Sequence, residues 1–153
     1  MKIRVELDSG IEEEEIIIRC RTLSEEVQTI QKNLADMVAR KHGFVFYKGD
    51  TEYYLSLEEI LFFETEDKVI FAHTKSDMYQ VKYRLYELEE ALPGYFMRIS
   101  KSTILNTNKV YSIQRNLTAS SVVEFQNTHK QVFVSRHYYK PLKTKLEEKR
   151  NQL

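Results

Sequence analysis

Ile3, Val5 and Leu7 alternate with Lys2, Arg4 and Glu6, the period of a strand with one apolar side. After the turn residues Asp8-Ser9-Gly10, the run EEIIIRC (14–20) reads as a second strand buried on both faces. The apolar spacing then lengthens. Leu23, Val27, Ile30, Leu34, Met37 and Val38 lie one helical turn apart, which predicts a helix over 23–40 that stops near Gly43. TLSE (22–25) has the form of a capping box, in which two side chains satisfy orphan backbone donors.

From Phe44 the period shortens again. Strands are predicted at 44–48, 53–57, 60–64, 69–74 and 78–81, with KGD and KSD as turns between them. A helix follows over 82–92, with Leu85, Leu88 and Leu92 on one stripe and Pro93-Gly94 as its stop. Further strands are expected at 95–99, 109–114, 122–126 and 131–134. The tail from Ser135 starts a last helix, where Pro141 fits the first turn or the start of a second helical piece. The fold class is therefore mainly β with α decoration: short antiparallel strands, one inserted helix and a C-terminal helix. A small hairpin-plus-helix extension (1–43) precedes the β domain (44–153). The extension is too short to stand alone, and its apolar stripe either forms a dimer interface or packs on its own β domain.

Composition adds little until charge is resolved along the chain. The 153 residues carry 23 basic and 23 acidic side chains. Residues 1–94 hold 12 Lys/Arg against 20 Asp/Glu, whereas residues 95–153 hold 11 against 3. The basic half calls for an anionic partner. The single cysteine, Cys20, excludes an internal disulfide, and its place on a strand expected to be buried makes it an inert thiol. No Gly-rich phosphate loop, nucleophile elbow or His-Glu-x-x-His pattern is present, so no enzyme, metal or other cofactor is expected. His73 and His129 read as structural or solvated. No apolar run is long enough for a membrane span and no signal peptide is recognisable, which points to the cytoplasm.

The densest chemistry lies in RISKSTILNTNKV (98–110), which has bases, hydroxyls and amides and no acid. If the strand at 95–99 continues, Arg98, Ser100 and Ser102 share a face with Lys101 opposite, an array suited to phosphate oxygens. Asn106 offers a donor and an acceptor together, which matches an adenine edge, or it serves as a turn residue. Arg136 stands where the last strand gives way to helix and can take guanine bidentately or pair with a carboxylate. Lys68 follows three acids in the loop ETEDKV.

The order and spacing of these pieces resemble the LytTR DNA-binding domain of bacterial transcriptional regulators. The matching runs lie within about residues 50–147, and the most specific is F-x-R-I-x-[KR]-S-x-I-x-N at 96–106 followed by V-S-R-x-Y. The resemblance implies a stand-alone regulator, without a receiver domain, that reads major grooves of double-stranded DNA with loops, paired on direct repeats. It implies base contacts from Lys68, Asn106 and Arg136. Phosphate contacts are expected from Arg98, Ser100, Lys101, Ser102 and Lys109. A homodimer is expected, with a regulatory protein as a possible further partner. The alternative is an interaction adapter whose acidic half binds such a partner with little DNA affinity.

Overall fold

The computed structural model describes residues 1–12, 14–41 and 44–151. Ten strands and three helices follow the order α1 (Glu25–Lys41), β1 (Phe46–Lys48), β2 (Thr51–Tyr53), β3 (Phe62–Glu66), β4 (Val69–His73), β5 (Met78–Val81), α2 (Leu85–Ala91), β6 (Phe96–Arg98), β7 (Thr103–Asn106), β8 (Val110–Gln114), β9 (Ser121–Phe125), β10 (Gln131–Val134) and α3 (Arg136–Asn151). Seven strands form an antiparallel sheet in the order β2-β1-β5-β4-β3-β7-β6, and β10-β9-β8 form a second sheet.

The adjacent apolar pairs Phe62-Phe63 and Ile104-Leu105 explain how the layers are arranged. Successive side chains of a strand point to opposite faces, so the central strands β3 and β7 feed two cores. Phe63 and Ile104 join Phe46, Ala72, Leu85 and Leu88 under α2. Phe62 and Leu105 join Val123, Phe125, Val134 and Leu142 beneath the small sheet and α3. The large sheet is thus the middle layer, covered on both faces at its centre.

Several expectations change. Among the described residues, 3–7 and 14–20 carry no strand and join no ladder, so the predicted hairpin does not form. Ile16 and Ile17 are exposed, and so is Cys20, which is therefore not a buried thiol. The turn between these segments is present, with the Gly10 N–H donating to Asp8 Oδ1 at 2.8 Å. Helix α1 starts two residues later than expected. Ser24 caps it, accepting the Val27 N–H at 3.3 Å, in place of the Thr22/Glu25 box. Gly43, the expected stop, lies outside the described residues. Pro141 sits in the second turn of one unbroken helix, on its exposed side, where the cost is one missing N–H.

The strand at 95–99 does not run on through 106 either. The chain reverses at 99–102, and β6 pairs antiparallel with β7 in the register Phe96↔Asn106 and Arg98↔Ile104. Ile99 and Thr103 close the reversal through a 3.0 Å backbone bond. Arg98, Ser100 and Ser102 therefore do not share a strand face.

Candidate nucleic-acid interface

Three connections meet at one end of the large sheet. β7 begins at Thr103 opposite Glu64 of β3, which places the 99–102 reversal beside the β3–β4 turn. The Thr65 N–H donates to the Ser102 carbonyl at 2.8 Å, and the Ser135 N–H donates to the Ile99 carbonyl at 3.0 Å. These two bonds fasten both neighbouring connections to the same four-residue loop. Arg136 is the next residue after Ser135 and opens α3. Lys68 sits in the turn just past the Glu66–Val69 pair, no more than about 7 Å beyond Thr65 along the hairpin at roughly 3.3 Å per residue.

Each connection has a local cause. The β3–β4 hairpin turns on Asp67 and Lys68, with φ of 48° and 67°. Two successive positive φ values are what a two-residue loop between right-twisted strands requires. Lys68 is exposed at the tip, but Glu66 and Asp67 stand beside it, so the turn carries net negative charge. Glu64, at its base, is raised above the usual carboxylate range by burial, with Glu66 adding to it.

The 99–102 loop is held from inside by Arg98. Its Nε donates to the Ser100 carbonyl at 2.9 Å, Nη1 to Glu89 Oε2 of α2 at 2.9 Å, and Nη2 to the Lys101 carbonyl. The Ser100 hydroxyl accepts the Ser102 N–H at 3.2 Å and lies 3.4 Å from the Ser102 hydroxyl. Lys101 at the apex is exposed; Ser100 and Ser102 flank it half-buried. Arg98, expected on phosphate, instead spends its guanidinium on the loop and on Glu89.

The first turn of α3 contains no acid, and Arg136 is exposed there at the positive end of the helix dipole. Lys140, four residues on and exposed, falls on the same side one turn later. Lys140 is not among the residues singled out from the sequence. Its spacing from Arg136 was the available signal.

Asn106 is placed elsewhere. It is 1% exposed, at the opposite end of β7, three residues or about 10 Å from Thr103. Its Nδ2 donates to the Ile60 carbonyl at 3.0 Å, and its Oδ1 accepts the Asn108 N–H at 2.9 Å as the cap of the short 3-10 turn Thr107–Lys109. Both amide atoms are committed inside the protein, so the expectation that Asn106 touches a base is withdrawn. Lys109 is carried to that same far end. Its neighbour Asn108 accepts from Lys149, which lies about 20 Å along α3 from Arg136 at 1.5 Å per residue. Of the eight residues expected to touch DNA, the folded chain gathers Lys68, Ser100, Lys101, Ser102 and Arg136 at one end, while Arg98 braces them.

The family model of the LytTr DNA-binding domain matches residues 50–147. The chain belongs to that family. An uncharacterized HTH-type transcriptional regulator of Staphylococcus aureus (strain NCTC 8325 / PS 47) is 29% identical over 148 residues, 95% of this chain and 98% of that protein. A second, from the bovine strain RF122 / ET3-1, is 27% identical over 146 residues, 95% of this chain and 98% of its own length. The solved LytTr DNA-binding domain from Bacillus cereus superposes with a TM-score of 0.61 at 22% identity, over 67% of this chain and 94% of that domain. Those staphylococcal names speak of a helix-turn-helix. Among the described residues of this LytTr chain, strands separate α1, α2 and α3 from one another. Among the described residues, no helix is long and apolar enough to cross a membrane.

Proposed function

We propose that the protein is a sequence-specific transcriptional regulator of the bacterial cytoplasm that reads duplex DNA with the loop end of its large sheet. Lys101 and Arg136 reach base edges in this reading. Lys101, exposed at the loop apex, takes the role first expected of Asn106. Arg136 offers a fork of donors to guanine, and Lys101 a point charge with rotatable donors. The Ser100 and Ser102 hydroxyls, Lys140 and the start of α3 meet phosphate. Lys68 contributes least, because Glu66 and Asp67 beside it repel the backbone it would approach. The protein acts by binding, without a cofactor, and works as paired protomers on direct repeats. Residues 44–153 do the reading and residues 1–43 serve assembly.

The observation that supports this reading most is the pair of backbone bonds from Thr65 and Ser135 to the 99–102 loop, which hold the cationic side chains as one unit. Base-reading loops need that rigidity, since a contact displaced by an ångström loses its geometry. The test is selection of bound duplexes from a random pool, followed by titration of Arg136→Ala and Lys101→Ala. Each variant should lose about 1–3 kcal/mol, roughly 5- to 150-fold, on the selected duplex and far less on a random one. Equal losses on both duplexes would remove the base-reading roles.

A further inference from the structure

Among the described residues, residues 1–8 pair with no strand of either sheet. Ile3, Val5 and Leu7 are 95%, 82% and 98% exposed. Arg4 Nη2 and Glu6 Oε1 meet at 2.6 Å, so the side chains at 4 and 6 share a side, as alternate residues of an extended chain do. Residues 3, 5 and 7 then form the opposite, apolar side. The segment leaves unpaired backbone donors and acceptors next to an uncovered apolar strip, the state of an edge strand awaiting another strand.

We propose that residues 2–8 pair antiparallel with the same residues of a second copy, about a two-fold axis at Val5. KIRVELD is self-complementary in that register. Lys2 faces Asp8 and Arg4 faces Glu6, each twice by symmetry. On the other side Ile3 faces Leu7, and Val5 faces its own copy. Every pair on one side joins opposite charges and every pair on the other is apolar, the two kinds of cross-strand pair that stabilise a ladder. Centring the axis on Arg4 or on Glu6 brings that charge against itself, so the pattern marks one register. Such a contact uses the same surface on both copies and closes at two. Residues 9–12 and 14–24 carry neither helix nor strand, so the axis of the arms imposes no matching axis on the DNA-reading ends.

This inference rests on the reading of the protein as a homodimer and on none of the DNA contacts. It is tested on the full chain, without DNA, by sedimentation velocity and light scattering. The unaltered protein should be a dimer. A variant with Lys2→Glu and Arg4→Glu makes the strip wholly acidic, and one with Glu6→Lys and Asp8→Lys makes it wholly basic. All four positions are exposed, and circular dichroism should show both variants folded. Each alone should be monomeric where the unaltered protein is dimeric. Mixed in equal amounts they should form a heterodimer, because every charged position then faces an opposite charge. A monomeric unaltered protein, a dimeric single variant or a mixture that stays monomeric would each overturn the proposal.

Discussion

Asn106→Ala separates a structural from a recognitive role most sharply. The substitution removes the bond to the Ile60 carbonyl at 3.0 Å and the cap on Asn108 at 2.9 Å, from a side chain that is 1% exposed. The Ile60 carbonyl is left without its side-chain donor in a site closed to water, at a cost of about 1–3 kcal/mol. Loss of a cap adds about 1 kcal/mol. The expected destabilisation is therefore about 2–4 kcal/mol, a fall in Tm of roughly 5–15 °C for a domain of this size. Asn106→Asp should be at least as damaging, since it points a carboxylate at a carbonyl oxygen. Urea unfolding followed by circular dichroism gives the first quantity. Titration of the selected duplex at a temperature where the variant stays folded gives the second, and its affinity should be close to that of the unaltered protein. An unchanged unfolding midpoint with a selective loss on the cognate duplex would refute the reasoning and return Asn106 to the interface.

Arg98→Ala should weaken binding to the selected duplex at least tenfold with a small loss of stability, and Arg98→Lys should recover little, because one ammonium cannot serve two carbonyls and Glu89 together; recovery by Lys, read in the same titration, would show a simple phosphate contact. His73 supplies a pH prediction. Burial, with Lys130 adding to it, lowers its imidazole to about 4. The ring stacks on Phe62 at 4.3 Å, and Glu64 faces Nε2 at 3.6 Å. The unfolded chain takes up the proton first as pH falls, so stability is full above about 6.5 and declines toward 4. The limit is about 3 kcal/mol, reduced to about 1–2 by partial solvent access and by the pairing Glu64 offers an imidazolium. His73→Gln should flatten the urea midpoint between pH 7 and pH 5; an unchanged slope would show that His73 is not the group responsible. Affinity for the selected duplex should fall about a thousandfold between 50 and 200 mM salt if six or more phosphates are neutralised, and a flat salt response would exclude backbone neutralisation as the main term.

The β domain was legible because its signals were local. Alternation placed β3, β4, β5, β9 and β10 within a residue or two, and a leucine stripe ending at Pro-Gly placed α2. The N-terminal hairpin failed for a physical reason: alternation shows that a segment can bury one side, but not whether its own chain supplies the cover. In the candidate site, the sequence marks the exposed cations at chain reversals, but not that Asn106 and Lys109 lie at the other end or that Arg98 is turned onto its own loop. Asn106 and Arg98 are polar residues of the densest motif, and only the three-dimensional arrangement shows that their hydrogen bonds are spent indoors. Asn106 caps a turn against Ile60, and Arg98 stitches the loop from below. The partners outside the motif, Ile60 for Asn106 and Glu89 for Arg98, lie 46 and 9 residues away in sequence.

The bonds that fasten the reading end together come mostly from main-chain groups: the Thr65 amide to the Ser102 carbonyl, the Ser135 amide to the Ile99 carbonyl, and Arg98 to two further carbonyls. Main-chain atoms are common to all residues, so the identities at 101 and 136 can drift while the platform beneath them persists. A single substitution at the tip therefore changes the exposed chemistry of that end without disturbing the bonds that shape it.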